Sequence, residues 1–310
     1  MKKAIVTGGA GFIGSHLAES LTERGYQVII LDDLSTGKKE NITSLLNHKN
    51  VKFVLGSVTN LALLQELCPG IDYIFHHAAL PSVPRSIKNP LLCHEVNITG
   101  TLNVLIAARD NQVKKVIYAS SSSVYGDTPT LPKRETMTPN PQSPYAVAKL
   151  AGEYYCQVFA RVYGLPAVSL RYFNVYGPRQ DPTSQYAAVI PSFVQGTLRS
   201  QPQLIFGDGE QTRDFTYVRD AVRANLISAE SEASGVFNVG TGGRVSLNRL
   251  AELIIGLTGN NIAPIHGEPR PGDIQHSLAD ISRLSAFGYK PEHTLEAGLK
   301  ETIRSFQHGK

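Results

Sequence analysis

A tyrosine and a lysine four positions apart, Tyr145 and Lys149, are well suited to proton transfer. They begin a helical pattern over 145–163, so the two side chains lie one turn apart on one face. A free phenol has a pKa of about 10, and a base that works near neutrality needs it lowered by about three units, or roughly 4 kcal/mol. A cation about 4 Å away supplies that order of energy at intermediate dielectric. The pair predicts a catalytic base assisted by an ammonium group, although the spacing alone also fits a solvated helix face.

Four consecutive serines follow the apolar run 116–119, at residues 120–123. In a parallel sheet the carboxyl ends of the strands form the ligand-binding edge. One of these hydroxyl groups is therefore expected to hold a substrate hydroxyl against the Tyr145 oxygen. A serine run by itself is equally typical of a helix cap or a turn.

Three glycines, Gly8, Gly11 and Gly14, lie between an apolar strand and a helical pattern. Glycines in this context allow a tight turn and let a pyrophosphate approach the backbone at the positive end of the helix. Asp32 ends the next apolar run, where its carboxylate can accept both ribose hydroxyls, and Asp33 follows it. These two carboxylates would repel a 2′-phosphate, so the sequence predicts NAD rather than NADP. A glycine-rich turn without a ligand is the alternative.

Continuous apolar runs alternate with amphipathic helical patterns along most of the chain. Such alternation predicts an α/β fold with a doubly wound parallel sheet of the Rossmann type, covered by helices on both faces. The clearest helical patterns cover 92–111 and 145–163. The predicted strands lie at 4–6, 28–31, 51–55, 73–75, 116–119, 167–170 and 236–239.

The alternation loosens after about residue 174, where prolines and glycine loops become frequent. We therefore expect a smaller C-terminal α/β lobe that binds the substrate. The predicted boundaries are 1–175 for the NAD-binding domain, with a returning segment at 217–243, and 176–216 with 244–310 for the substrate lobe.

Composition excludes several classes of protein. The 310 residues carry a formal net charge of +4 from scattered basic residues, which argues against a nucleic-acid surface. Three cysteines argue against a disulfide framework, and no apolar stretch approaches the roughly 20 residues of a membrane span. His76 and His77 have no carboxylate or cysteine partner at ligand spacing, so we expect no metal. The sequence predicts a cytoplasmic enzyme.

The residues taken together resemble the extended short-chain dehydrogenase/reductase family, and within it the nucleotide-sugar 4-epimerases that act on UDP-glucose and UDP-N-acetylglucosamine. The resemblance covers essentially the whole chain. It is strongest to the UDP-N-acetylglucosamine 4-epimerases. The motifs that carry it are the glycine loop at 8–14, SSSSVYG at 120–126, the Tyr145/Lys149 pair, RYFNVYG at 171–177, RDF at 213–215, and the segments 82–86, 186–191 and 276–280.

The resemblance implies that a UDP-sugar is oxidised at carbon 4 to a keto sugar and reduced again on its other face. Tyr145 takes the proton, Lys149 assists it, and Ser121 matches the catalytic serine of the family. The NAD stays bound between cycles. The implied cofactor residues are Gly8, Gly11, Phe12, Ile13, Gly14, Asp32, Asp33, Ser35, Thr36, Gly37, Ser57, Val58, Ala78, Ala79, Leu80, Asn97, Ser120, Tyr145, Lys149 and Phe173.

The same resemblance implies a UDP-sugar site in which small residues leave room for an N-acetyl group. Ser277 matches the position that limits the size of the sugar. The implied substrate residues are Ser82, Ser121, Ser122, Ser123, Tyr145, Asn174, Ala188, Val189, Arg213, Arg270, Asp273 and Ser277. A homodimer is implied as well, formed by pairing the two long helices of each chain in a four-helix interface.

Two other functions remain open. One is a UDP-glucuronate 4-epimerase or decarboxylase on the same scaffold. Ser123 opposes decarboxylation, because the decarboxylases that resemble this chain carry glutamate there, and Asn174 opposes the uronate epimerases, which usually carry threonine. The other is a catalytically silent NAD sensor, which the intact Ser121, Tyr145 and Lys149 oppose.

Overall fold

A seven-stranded parallel sheet forms the centre of the computed structural model, which describes residues 1–182, 188–269 and 274–307. The strand order is β11-β6-β5-β4-β1-β2-β3. This order and the flanking helices confirm the predicted doubly wound α/β fold. The strands are β1 (Lys3–Thr7), β2 (Gln27–Asp32), β3 (Val51–Leu55), β4 (Tyr73–His76), β5 (Lys115–Ser121), β6 (Ala167–Tyr172), β7 (Val175–Tyr176), β8 (Leu204–Phe206), β9 (Thr212–Arg213), β10 (Thr216–Tyr217), β11 (Gly235–Val239), β12 (Val245–Ser246) and β13 (Ile265–Gly267).

Helices cover both faces of the sheet because successive strand residues point to opposite sides. The helices are α1 (Phe12–Glu23), α2 (Leu61–Leu67), α3 (Val83–Lys88), α4 (Pro90–His94), α5 (Gly100–Asp110), α6 (Pro144–Tyr163), α7 (Val189–Leu198), α8 (Val218–Glu230), α9 (Leu247–Thr258), α10 (Ser282–Ser285) and α11 (Leu295–Gln307). On β1, Val6 belongs to the apolar cluster under α1 and α8, while Ile5 belongs to the cluster under α5 and α6.

The second lobe has its own apolar core, built from α7, α9 and α11. Three short strand pairs complete it: β7 with β10, β8 with β13, and β9 with β12. After β10 the chain returns to the large sheet through α8 and β11, which pairs with β6 in parallel.

A continuous helical run at Pro90–Asp110 joins α4 to α5 through one π-helical segment, Glu95–Thr99. This run is long and apolar enough to cross a membrane by length and composition alone, and 44% of its apolar window is buried within the structure. Asn97 and Asn103 on this run bond to the backbone of Leu80 and Val58. These buried polar contacts indicate a helix packed within the fold.

Candidate active site

A groove of about 240 Å³ lies along the carboxyl ends of the central strands. Sixteen of the predicted cofactor residues line it: Gly8, Gly11, Phe12, Ile13, Gly14, Asp32, Asp33, Ser35, Thr36, Ser57, Val58, Ala78, Ala79, Ser120, Tyr145 and Lys149. Sequence reasoning missed seven further lining residues: Leu31, Gly56, His77, Pro81, Val96, Ala119 and Tyr172. Most of these lie at or just after the end of a sheet strand, which is the signal that would have identified them.

The glycine turn between β1 and α1 fits a dinucleotide. Gly8 has φ +66°, and a side chain there would place Cβ 2.6 Å from the Ala78 nitrogen. At Gly14, a Cβ atom would collide with the Gly8 carbonyl oxygen. The first turn of α1 thus packs directly on the loop, which leaves its backbone open to a pyrophosphate.

Asp32 lies at the end of β2, on the groove wall, as the sequence predicts. Its carboxylate accepts hydrogen bonds from the backbone nitrogens of Ala10 at 2.9 Å and Leu34 at 2.8 Å. Burial raises the pKa of this carboxyl group, and the two backbone donors act in the opposite direction. Asp33 accepts bonds from the backbone nitrogen and hydroxyl of Ser35 instead.

Four predicted cofactor residues do not line the groove: Gly37, Leu80, Asn97 and Phe173. Gly37 packs against the Asp32 carboxylate, since a Cβ atom there would lie 2.6 Å from Oδ1. Asn97 is buried and clamps Leu80, accepting from its nitrogen at 2.6 Å and donating to its oxygen at 3.2 Å. Phe173 is fully buried beside Tyr125.

Helix α6 positions the predicted catalytic pair. It begins after Ser143, whose side chain accepts from the Ala146 nitrogen, and ends at Gly164 in the left-handed conformation. The buried Lys149 ammonium donates to the Ala119 carbonyl oxygen at 2.8 Å and lies 5.8 Å from the centre of the Tyr145 ring. The pair therefore faces the end of β5, as predicted.

The electrostatics of this pair differ from the sequence expectation. Burial raises the pKa of Tyr145 to about 12, although a hydrogen bond with the Ser121 side chain opposes the increase. Burial also lowers the pKa of Lys149 to about 8. Lys149 is not among the groups that lower the pKa of Tyr145, contrary to the sequence expectation, and its ammonium group donates to the Ala119 carbonyl oxygen.

The serine run divides between two elements. Ser120 and Ser121 end β5, and Ser122 and Ser123 begin the 3₁₀ turn Ser122–Tyr125. Ser120 donates to the buried Glu153 carboxylate, and Ser121 Oγ accepts from the Ser123 nitrogen at 3.2 Å. Within the described part of the chain, the buried hydroxyls of Ser123 and Ser82 have no hydrogen-bond partner. Ser120 lines the groove, whereas Ser121, Ser122 and Ser123 do not.

A second cavity of about 300 Å³ lies against the smaller lobe. Four predicted substrate residues line it: Asn174, Ala188, Val189 and Arg213. Ser277 is buried outside this lining, and its nitrogen donates to the Thr212 oxygen at 3.0 Å, beside Arg213. Arg270 and Asp273 lie outside the described residues.

Across residues 1–182, 188–269 and 274–307, no group of three or more His, Cys, Asp and Glu side chains is arranged to hold a metal ion. His76 and His77 instead bond to uncharged side chains, Thr7, Thr101 and Asn225.

Comparison with known proteins decides the family. A family model described as the NAD dependent epimerase/dehydratase family matches residues 4–240. The chain belongs to this family.

Solved structures and curated relatives of the family match over nearly the full chain. A UDP-N-acetylglucosamine 4-epimerase from Methanobrevibacter ruminantium, in complex with UDP-N-acetylmuramic acid, is 45% identical with a TM-score of 0.97, covering 100% of this chain and 99% of that one. A UDP-glucose 4-epimerase of Thermus thermophilus in complex with NAD is 36% identical with a TM-score of 0.90, covering 99% and 100%. A UDP-N-acetyl-alpha-D-glucosaminuronate decarboxylase of Bacillus cytotoxicus is 36% identical over 319 residues, covering 99% and 98%.

These matches confirm the resemblance to extended short-chain dehydrogenases, the assignment as an isomerase, and NAD as the cofactor. The decarboxylase is as similar to this chain as the second epimerase, so similarity within the family does not select the sugar.

Proposed function

We propose that the protein is an NAD-dependent 4-epimerase that interconverts UDP-GlcNAc and UDP-GalNAc, and also accepts UDP-glucose and UDP-galactose. The observation that carries the proposal is the placement of Tyr145 on the groove wall, with the Lys149 ammonium 5.8 Å from the centre of its ring and Ser121 at the end of β5. Inversion at carbon 4 through a keto sugar needs one base and one hydride carrier, and this end of the groove combines a phenol with the cofactor site.

The roles of the residues follow from their contacts. When bound, NAD supplies a reversible hydride acceptor. Ser121 orients the sugar hydroxyl toward Tyr145, which takes its proton and later returns it. The phenoxide needs a nearby cation, and Lys149 becomes that cation if its ammonium turns from the Ala119 carbonyl toward the Tyr145 oxygen.

We assign the other predicted residues to the two ligands. The glycine turn and the loops after β2, β3 and β4 would hold the dinucleotide, with Asp32 on the adenosine ribose. Arg213, Arg270 and Asn174 would hold the diphosphate of UDP, since guanidinium and amide donors suit phosphate oxygens, and Asp273 would hold the uridine ribose. Accordingly, the boundaries 1–175 with 217–243, and 176–216 with 244–310, describe the cofactor and substrate lobes.

Incubation with UDP-GlcNAc, UDP-glucose and UDP-glucuronate separately, with no NAD added, tests the proposal. We expect UDP-GalNAc and UDP-galactose to form and UDP-glucuronate to remain unchanged. Turnover of UDP-glucuronate alone, or carbon dioxide release from it, would favour the uronate alternative, and inactivity on all three would favour the sensor.

The decarboxylase alternative requires an additional acid or base. The side chains at the end of β5 and at the start of the following turn are serine hydroxyls, and the Ser123 hydroxyl has no hydrogen-bond partner among the described residues. A hydroxyl is a poor proton donor for this chemistry. This favours simple epimerisation.

Replacing Ser277 with tyrosine is expected to block the N-acetylated substrates selectively. Ser277 is buried beside Arg213, and because it matches the size-limiting position of the family, we infer that an aromatic ring there takes the space of the N-acetyl group. Turnover of UDP-GlcNAc should fall about 100-fold, while UDP-glucose changes by less than about threefold. Steady-state kinetics on both substrates check this, with the exposed Ser234→Tyr as the matched control. Equal loss on both substrates would contradict the size limit.

We also propose a homodimer that buries the exposed apolar side chains of α4 and α6. Leu91 is 82% exposed and Val162 66%, with Val158, Tyr154 and Val147 nearby on α6. Val158→Glu should convert the dimer to a monomer, because a carboxylate cannot be buried unpaired in an apolar interface. Light scattering at about 10 µM measures the mass.

The control for the dimer is Ile265→Glu, which places the same charge at an exposed apolar position in β13. This variant should keep the mass of the wild-type protein. A wild-type monomer at that concentration would refute the dimer.

The three cysteines, Cys68, Cys93 and Cys156, are buried free thiols. This supports a cytoplasmic location, which we propose with the function.

A further inference from the structure

The two adjacent histidines at the end of β4 have no role in the chemistry described so far. His77 lines the groove, and His76 is buried behind it. Each makes a side-chain hydrogen bond through a ring nitrogen to an element distant in sequence. The partners fix where the protons on both rings lie.

His77 bonds through Nε2 to Asn225 Oδ1 at 3.2 Å. The Asn225 amide nitrogen donates to the Ala221 carbonyl oxygen at 2.8 Å and to the Tyr172 hydroxyl at 2.7 Å. Since a carbonyl oxygen only accepts, the amide orientation is determined, and Oδ1 must face His77. The proton of His77 therefore lies on Nε2.

The series of hydrogen bonds that starts at His77 runs through Asn225 and ends on a second groove residue, Tyr172. The two rings are stacked, with centroids 6.1 Å apart and 19° between planes. Tyr172 pairs in register with Ser121 on the neighbouring strand, so it lies at the catalytic end of the groove. Asn225 is fully buried in α8 and touches both rings from behind.

The ring nitrogen of His76 that carries the proton is determined in the same way. The Thr101 hydroxyl donates to the Asn97 carbonyl at 2.7 Å, so Thr101 Oγ1 must accept from His76 Nε2 at 2.9 Å. On the other side the Ala78 nitrogen donates to Thr7 Oγ1, which leaves the Thr7 proton for His76 Nδ1 at 2.7 Å. Both ends of this series of hydrogen bonds reach the loop after β4. One end is the bond from the Ala78 nitrogen to Thr7, and the other is the pair of bonds between Asn97 and Leu80.

We propose that His76 and His77 are positioning residues, each held as the neutral Nε2–H tautomer, that together fix the groove wall at its catalytic end. His77 acts through Asn225 on the Tyr172 ring, and His76 acts on the loop at Ala78 to Leu80. Burial lowers the pKa of both histidines, to about 4 for His77, which agrees with neutral rings near pH 7. The Lys149 ammonium is the charged group that acts on both rings, and it opposes protonation of each.

This inference rests on the proposed use of the groove for NAD, but not on which sugar is turned over. A double-mutant cycle of Asn225→Leu and Tyr172→Phe tests the inference. For each variant we would measure the NAD retained per protein molecule after gel filtration, together with kcat and KM. We expect about tenfold lower retention and kcat for Asn225→Leu, the size typical of one buried partner lost, with the KM for UDP-GlcNAc little changed. The double variant should lose no more than Asn225→Leu alone, because both changes break one chain of contacts.

The control is Thr22→Val, which removes a buried hydroxyl bond to the Ala18 carbonyl in α1. Two results would overturn the role of Asn225 in positioning Tyr172. One is that Asn225→Leu retains as much NAD as Thr22→Val, and the other is that the losses of NAD retention and kcat in the double-mutant cycle are fully additive.

Long-range ¹H–¹⁵N spectra of the wild-type protein provide a readout that does not depend on activity. Two histidines should show the Nε2–H pattern, one shifted by Thr101→Val and the other by Asn225→Leu. An Nδ1–H or doubly protonated pattern near pH 7 would overturn the tautomer assignment even if epimerisation is confirmed.

Discussion

Replacing Tyr145 with phenylalanine is expected to reduce kcat about a thousandfold, within the range for loss of a general base. The change removes one oxygen atom and leaves the ring in the groove wall, so NAD retention and folding should be preserved. Neither Ser121 nor Lys149 replaces the phenol, because an aliphatic hydroxyl and an ammonium group are both poor proton acceptors. Initial rates of UDP-GalNAc formation measure the effect.

The matched control for this substitution is Tyr163→Phe on the same helix, at a position half exposed to solvent. Its rate should equal that of the wild-type protein. A Tyr145→Phe enzyme that keeps more than about a tenth of the wild-type rate would remove Tyr145 as the base, since even a weak general base contributes more.

Glu153→Leu is expected to destabilise the protein by about 3–5 kcal/mol. The Glu153 carboxylate is fully buried and accepts from Arg171 at 2.7 and 2.9 Å, and from Ser120. Removing it leaves the guanidinium of Arg171, itself almost fully buried, without its counter-ion. The free energy of unfolding in urea measures the loss, and combining the change with Arg171→Met should recover part of it.

An exposed pair provides the comparison. Arg249 and Glu252 lie 2.9 Å apart on α9, and both side chains are more than half exposed. Glu252→Leu should therefore change the free energy of unfolding by less than about 1 kcal/mol. If the two substitutions have the same effect, the buried pair does not contribute to stability as proposed.

The sequence was sufficient to predict the elements that hold the site. All seven sheet strands coincide with apolar runs, and α6 begins one residue before Tyr145 because Ser143 and Pro144 form a favourable helix start. The glycine turn and Asp32 could be placed because a strand, a turn, a helix and a second strand occur in order. Local pattern alone determines such features.

Features that depend on contacts distant in sequence could not be predicted. Tyr172 lines the groove while Phe173, the next residue, is buried beside Tyr125, and the sequence does not show which of the two faces the ligand. His77 meets Asn225 across 148 positions, so no local pattern reveals their bond. The raised pKa of Tyr145 comes mainly from burial, which spacing along a helix does not specify.

The fate of a label at carbon 4 of the sugar tests most directly whether the groove performs reversible hydride transfer. UDP-GlcNAc carrying deuterium at that carbon is incubated with the protein in ordinary water, with no NAD added, and the UDP-GalNAc formed is analysed by mass spectrometry. The account predicts that the product keeps its deuterium, because the hydride leaves and returns within one site. Product in which hydrogen from water has replaced the label would contradict it.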